Sequence, residues 1–122
     1  SFVGGEDDQV LVGTMIENER AVQNIEEILA VPQLGFAFIG PADLAMSMSG
    51  GDPLEKSPER VSAAITRTRQ ACLDAGVPVG RIRNGVPEAR AAVDSGYQIV
   101  RIGGDLSAIR STLGERLEKL RE

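Results

Sequence analysis

The sequence predicts an α/β protein with a parallel sheet, built from four consecutive strand–helix units. Two observations carry this. Short apolar runs rich in β-branched and aromatic residues alternate with longer stretches of helical periodicity. Punctuation by Gly and Pro falls between them at the places where helices should stop. Strands that are apolar almost without interruption suit a parallel sheet buried on both faces.

The first run is Val10 to Ile16, VLVGTMI, and the second is Phe36 to Ile39, FAFI. Between them Ala21, Val22, Ile25, Ile28 and Leu29 recur at helical spacing, and Pro32 closes that helix. Ser57-Pro58 is a helix start, with a capping Ser and Pro in the first turn. Val61, Ala64, Ile65, Thr68, Cys72 and Leu73 line one face of this second helix, and Gly76 ends it. Val77 to Ile82 reads as a third strand. Pro87 to Ser95 follows as a third helix, with Ala89, Ala92 and Val93 inward and Gly96 at its end. Tyr97 to Ile102 is a fourth strand. Asp105 is placed as the cap of a last helix striped by Leu106, Ile109, Leu113, Leu117 and Leu120.

Such an order fits a small doubly wound sheet or part of a (β/α)8 barrel. A complete barrel takes roughly 250 residues, so four units in 122 residues amount to half of one. The opening segment, residues 1–9, reads as an interior connector. The expectation is a single partial domain over 1–122, with the four units in 10–122.

Composition narrows the function classes. Hydrophobic residues make up 42% and charged residues 25%, a globular mix. No stretch approaches the roughly 20 apolar residues of a membrane span. The first nine residues lack the basic and apolar regions of a signal peptide, so a cytoplasmic setting is expected. The net charge of −5 argues against a nucleic-acid surface. There is no histidine, which excludes imidazole-based triads and zinc sites within these residues. Cys72 is the only cysteine and lies on an apolar helix face, as a buried structural thiol would. A metal ion held by this chain must therefore be bound by oxygen.

Glu17 directly follows the first strand, and Asp43 follows the second in the turn Gly40-Pro41-Ala42-Asp43. Active sites of β/α folds are built at these strand ends. Adjacent parallel strands lie about 4.8 Å apart, so the two carboxylates can converge on one cation. Two carboxylates completed by water and substrate oxygens are a common Mg²⁺ or Mn²⁺ arrangement. The competing account makes the two acids helix caps or salt-bridge partners.

The surrounding residues decide between these accounts. Met15 to Met48, MIENERAVQNIEEILAVPQLGFAFIGPADLAMSM, resembles the HpcH/HpaI aldolase family, which includes 4-hydroxy-2-oxoheptanedioate and 2-dehydro-3-deoxyglucarate aldolases. The match takes in Glu17, Ala21, Asn24, Glu27, Ile28, Leu29 and Phe38 through Leu44, and runs more weakly through the Gly80, Gly96 and Gly103 turns. It covers the second half of a family member.

The resemblance implies the C-terminal half of a TIM barrel. It also implies a class II pyruvate aldolase that cleaves or forms 4-hydroxy-2-oxo acids through a metal-stabilised pyruvate enolate. Glu17 and Asp43 would bind Mg²⁺, Mn²⁺ or Co²⁺. Gly40, Pro41, Ala42 and Asp43 would hold the pyruvate carboxylate through backbone N–H groups. The partners would be pyruvate and an aldehyde, in a homo-oligomer that is a hexamer by family resemblance. The residue matching Ile82 would lie near a neighbouring subunit, and the last helix is exchanged between subunits in the family. The family's basic His and substrate-binding Arg belong to the first half of the barrel, so this chain contains no catalytic base.

Two departures stand out. Some members carry Gln where this chain has Met15, and the usual SLG after Asp-Leu is replaced around Ser47-Met48-Ser49-Gly50. Two other functions keep the same barrel: a citrate lyase β-subunit or malyl-CoA lyase-like enzyme, and a non-catalytic half-barrel assembly module. Arg81 and Arg83 point the same way from one strand; an acidic substrate or a neighbouring subunit could engage them, but a surface ion pair is the simpler account. Gly103-Gly104 resembles a phosphate-binding turn, for which a plain left-handed turn before an N-cap is preferred.

Overall fold

The computed structural model describes residues 10–50 and 58–121. Four strands form one parallel sheet in sequence order: β1 (Gly13–Ile16), β2 (Phe36–Ile39), β3 (Val79–Ile82) and β4 (Ile99–Arg101). The register sets Ile16 beside Ile39, Ile39 beside Arg81, and Ile82 beside Arg101. Among the described residues, β1 and β4 are each paired along one side only. The helices are α1 (Glu19–Gln23), α2 (Ile25–Leu29), α3 (Pro41–Met48), α4 (Pro58–Ala75), α5 (Val86–Asp94) and α6 (Asp105–Lys119).

Alternation along each strand sorts the side chains onto two faces. Ile16, Ala37, Ile39 and Val79 point to one face and join Val22, Ile25, Leu29, Leu44, Ala64, Cys72, Ala92 and Tyr97 in a single buried cluster. Thus α1 to α5 all contribute to the covering of that face. The other face carries Met15, Phe36, Phe38, Ile82 and Ile99. No described helix covers it, and Met15 is 48% exposed.

Several expectations are refined. The first strand is shorter than the apolar run, because Val10, Leu11 and Val12 are exposed and lie before the paired segment. The third and fourth strands likewise begin two residues later than their runs. The first helix is two short helices joined at Asn24, which ends α1 and precedes α2. Val93 is 57% exposed rather than inward. The cap expected at Ser57 and the connector expected over residues 1–9 lie outside the described residues.

Cys72 is fully buried and free. Burial pushes its thiol up from an ordinary 9.0 to about 11, because the thiolate would lose its hydration. The unfolded chain therefore ionises first as pH rises. This contribution to stability is intact below pH 9 and declines from there towards pH 11. Cys72→Ala is expected to flatten that alkaline decline in urea melts. A thiol reagent at about pH 8 should label unfolded protein rapidly and native protein slowly; fast native labelling would contradict the buried position.

No helix among the described residues is long and apolar enough to cross a membrane.

Candidate metal and substrate site

Glu17 is the residue immediately after β1, and it projects from the uncovered face of the sheet. Its neighbourhood shows this directly. A Cβ added at Gly40 would stand 3.0 Å from both Cβ and Oε2 of Glu17 and 3.2 Å from Cε of Met15. The carboxylate therefore lies against the one residue of the second strand end that has no side chain. The two strand ends are fastened by the Gly40 N–H, which donates to the Ile16 carbonyl at 3.1 Å.

Asp43 lies three residues further on. The expected turn around it is in fact the first turn of α3. Gly40 is the N-cap, Pro41 is the first helical residue, and Asp43 is the acid of the first turn. Proline suits that position because its missing N–H would have no partner there. The first main-chain bond of the helix runs from the Leu44 N–H to the Gly40 carbonyl, at 3.0 Å. The N–H groups of Ala42 and Asp43 precede it, so they have no acceptor within the helix. Leu44 is fully buried and anchors α3 to the core, which leaves the exposed Asp43 on the outer side of a fixed turn.

A further tie was not legible in the sequence. The Glu19 N–H donates to Ser47 Oγ at 3.1 Å, joining the start of α1 to α3. Glu17 and Asp43 thus sit on segments fastened to each other at both the strand and the helix level. Ser47 belongs to the stretch that departs from the family wording, and an isolated serine gives no signal of such a bond.

Among the described residues neither acid is a side-chain cap or a salt-bridge partner, although Asp43 stands in the first turn of α3, where a negative charge suits the helix dipole. Asn18, not Glu17, caps α1, accepting from the Ala21 N–H at 2.8 Å. The ion pairs among the described residues are Arg60–Glu19 and Arg67–Glu26, at 3.2 and 3.0 Å. Neither Glu17 nor Asp43 makes a hydrogen bond there. No cluster of three or more candidate metal ligands exists among the described residues. A cation at the strand ends would find two carboxylates, Glu17 and Asp43, and would take its other ligands from other oxygens. That set fits a hard divalent cation.

The remaining candidates separate. Ile82 is part-buried on the uncovered face, beside Arg101. Arg81 turns to the helical face, where its guanidinium lies 5.1 Å from the Tyr97 ring centroid and donates to the Tyr97 hydroxyl at 3.3 Å. Burial lowers its pKa. Among the described residues it is in no ion pair, and it lies on the helical face rather than at the strand-end mouth. Gly103 and Gly104 are not left-handed; Gly104 is the N-cap of α6 with φ −140°, and Asp105 is the first helical residue rather than the cap. The stripe on α6 is not core here, since no α6 residue is buried.

A parallel sheet with helices on one face and two acids just beyond adjacent strand ends defines a β/α protein with a candidate site at its strand ends. Comparison with known proteins makes this specific. Residues 2–112 match the family model described as HpcH/HpaI aldolase/citrate lyase, and the chain belongs to that family. It is 35% identical over 114 residues to a hydroxypyruvate/pyruvate aldolase of Delftia acidovorans, covering 93% of this chain and 42% of that protein. It superposes on the crystal structure of an HpcH/HpaI aldolase/citrate lyase family protein from Burkholderia cenocepacia J2315 with a TM-score of 0.83 and 30% identity, over 99% of this chain and 46% of that one. The citrate lyase β-subunit of M. tuberculosis, solved with oxaloacetate and magnesium, shares the fold at 19% identity with a TM-score of 0.63, over 80% of this chain and 49% of that one. The chain therefore spans less than half the length of these relatives.

Proposed function

We propose that this chain is the C-terminal half of a (β/α)8 barrel in a class II pyruvate aldolase, which cleaves or forms 4-hydroxy-2-oxo acids. The observation that carries the reading is the pair of carboxylates, Glu17 and Asp43, without partners among the described residues and just beyond the C-terminal ends of adjacent parallel strands. The half-barrel is supported by the sheet itself. A doubly wound sheet is covered on both faces, whereas here one apolar face has no described helix on it. The match to less than half of each relative agrees with this.

Glu17 and Asp43 would hold one divalent cation, Mg²⁺, Mn²⁺ or Co²⁺. When bound, the cation supplies Lewis acidity at the keto oxygen of a 2-oxo acid. The chain's own groups do the positioning. The free N–H groups of Ala42 and Asp43 can donate to the substrate carboxylate at the positive end of α3. Gly40 leaves space for that approach, and Pro41 stiffens the turn. Met15 gives the floor beside Glu17 an apolar surface. In this reading the base that takes the proton would come from the part of the barrel outside these residues. Ile82 is a candidate for contact with a neighbouring subunit, and the exposed stripe of α6 suits a seat in a homo-oligomer, a hexamer in this reading.

A thioester-cleaving lyase of the citrate lyase or malyl-CoA lyase type would share the same strand ends. The pyruvate reading is preferred because the more similar relatives carry pyruvate aldolase names. Chelator-stripped full-length protein is expected to release pyruvate from a 4-hydroxy-2-oxo acid only after Mg²⁺, Mn²⁺ or Co²⁺ is restored, and to leave malyl-CoA intact. A metal-independent rate, or faster turnover of malyl-CoA, would overturn the reading.

A further inference from the structure

We propose that Arg101 is the anion anchor of this site: it binds an acidic group at the far end of the aldehyde and selects acidic over neutral aldehydes. This rests on the aldolase reading above. The starting point is the parity of the strands. A Cβ added at Gly80 would meet the Phe38 ring and stand 2.9 Å from Ile99 Cβ, so these three residues share the uncovered face. Two residues further along β3 and β4 come Ile82 and Arg101, which pair in register on that face. Apart from Arg101, the strand residues there are glycine or apolar. Glu17, just beyond β1, is the negative end of the same face. The two charges thus stand at the same end of the strands, on opposite sides of an apolar floor.

The guanidinium is free to act there. Its Nη2 lies 2.6 Å from the place a Cβ of Gly104 would take. A side chain at Gly104 would displace it, so the bare turn lets the arginine fold over the end of β4. The Arg101 carbonyl accepts from the Arg83 N–H at 2.9 Å, but among the described residues its guanidinium makes no hydrogen bond and neither ion pair includes it. The nearby Asp105 is turned away, its Oδ1 accepting from the Leu106 N–H at 2.8 Å. Arg81 is the instructive contrast, since its guanidinium is already occupied by Tyr97. Three strand spacings separate β1 from β4, on the order of 14 Å along the sheet and less across a curved one. That is room for a three-carbon oxo acid at Glu17 and Asp43 and a short aldehyde reaching Arg101. A planar guanidinium fork matches a carboxylate, so the expected ligand is an aldehyde ending in a carboxylate.

The test uses the full-length enzyme and aldol addition of pyruvate to succinic semialdehyde or to butanal, which has the same chain length without the charge. Arg101→Ala is expected to lower the acidic-to-neutral ratio of kcat/KM by about tenfold or more. Arg101→Lys should restore part of it, and Arg101→Glu should lower it further. In the wild type the ratio should fall with added salt, and in Arg101→Ala it should not. A ratio unaffected by Arg101→Ala and by salt would overturn the proposal. Exchange of pyruvate methyl protons in deuterium oxide, measured on the wild type, separates the two levels. No exchange would defeat the aldolase reading and this proposal with it; exchange with an unchanged ratio would defeat the role of Arg101 alone.

Discussion

Glu17→Gln and Asp43→Asn in the full-length protein are each expected to lower metal-stimulated pyruvate release on the order of a thousandfold. Both substitutions keep the size of the side chain and remove its charge. Glu17 and Asp43 make no hydrogen bond or ion pair with other described residues, so little structural stability is at stake. The loss should therefore appear in metal binding and rate, with thermal midpoints close to the wild type. Calorimetric titration of Mn²⁺ alongside the pyruvate assay would check this. If either variant bound Mn²⁺ as tightly as the wild type, that carboxylate would not be a ligand.

Gly40→Ala is expected to weaken metal binding by about ten- to a hundredfold, the range found for groups that orient a ligand rather than supply one. The backbone at Gly40, with φ −96° and ψ 90°, accepts an L-residue without strain. The effect comes from space alone. The new methyl would stand 3.0 Å from Cβ and Oε2 of Glu17 and 3.2 Å from Cε of Met15. Met15 is flexible and can give way. The Cβ of Glu17 is fixed by the strand end, so its carboxylate has to rotate away from the position it holds. Circular dichroism should show an unaltered fold while the Mn²⁺ titration shifts. An unshifted titration would mean that contact with Gly40 does not orient Glu17.

Much of this arrangement is legible in the residues themselves. FAFI and Gly40 announce a buried strand and its end, and Glu17 is recognisable from its place after VLVGTMI. Apolar character alone does not distinguish a paired residue from an exposed one, so the run from Val10 overstates β1. Gly-Pro-Ala-Asp has the wording of a turn, and the sequence alone does not show the helix α3. The buried Leu44 and the proline at the first helical position make it a helix instead. The face that Arg101 occupies is hidden in the sequence for a different reason. In YQIVRI a charged residue looks like ordinary alternation, and only the register with Ile82 reveals which face it occupies. Arg81, two strands from Glu17, faces the helices and is held by Tyr97.

The exposed stripe of α6 has a thermodynamic consequence. This is a 15-residue helix without one buried side chain, and Leu106, Ile109, Leu113, Leu117 and Leu120 are between 52% and 82% exposed. A helix of that length is marginal in water when nothing packs against it. Its order is therefore linked to whatever covers the leucines. Covering them is a coupled ordering step, in which part of the association energy is consumed in fixing the helix. The local stability of α6 would then rise once that cover is in place, while the four-stranded sheet depends on its own core.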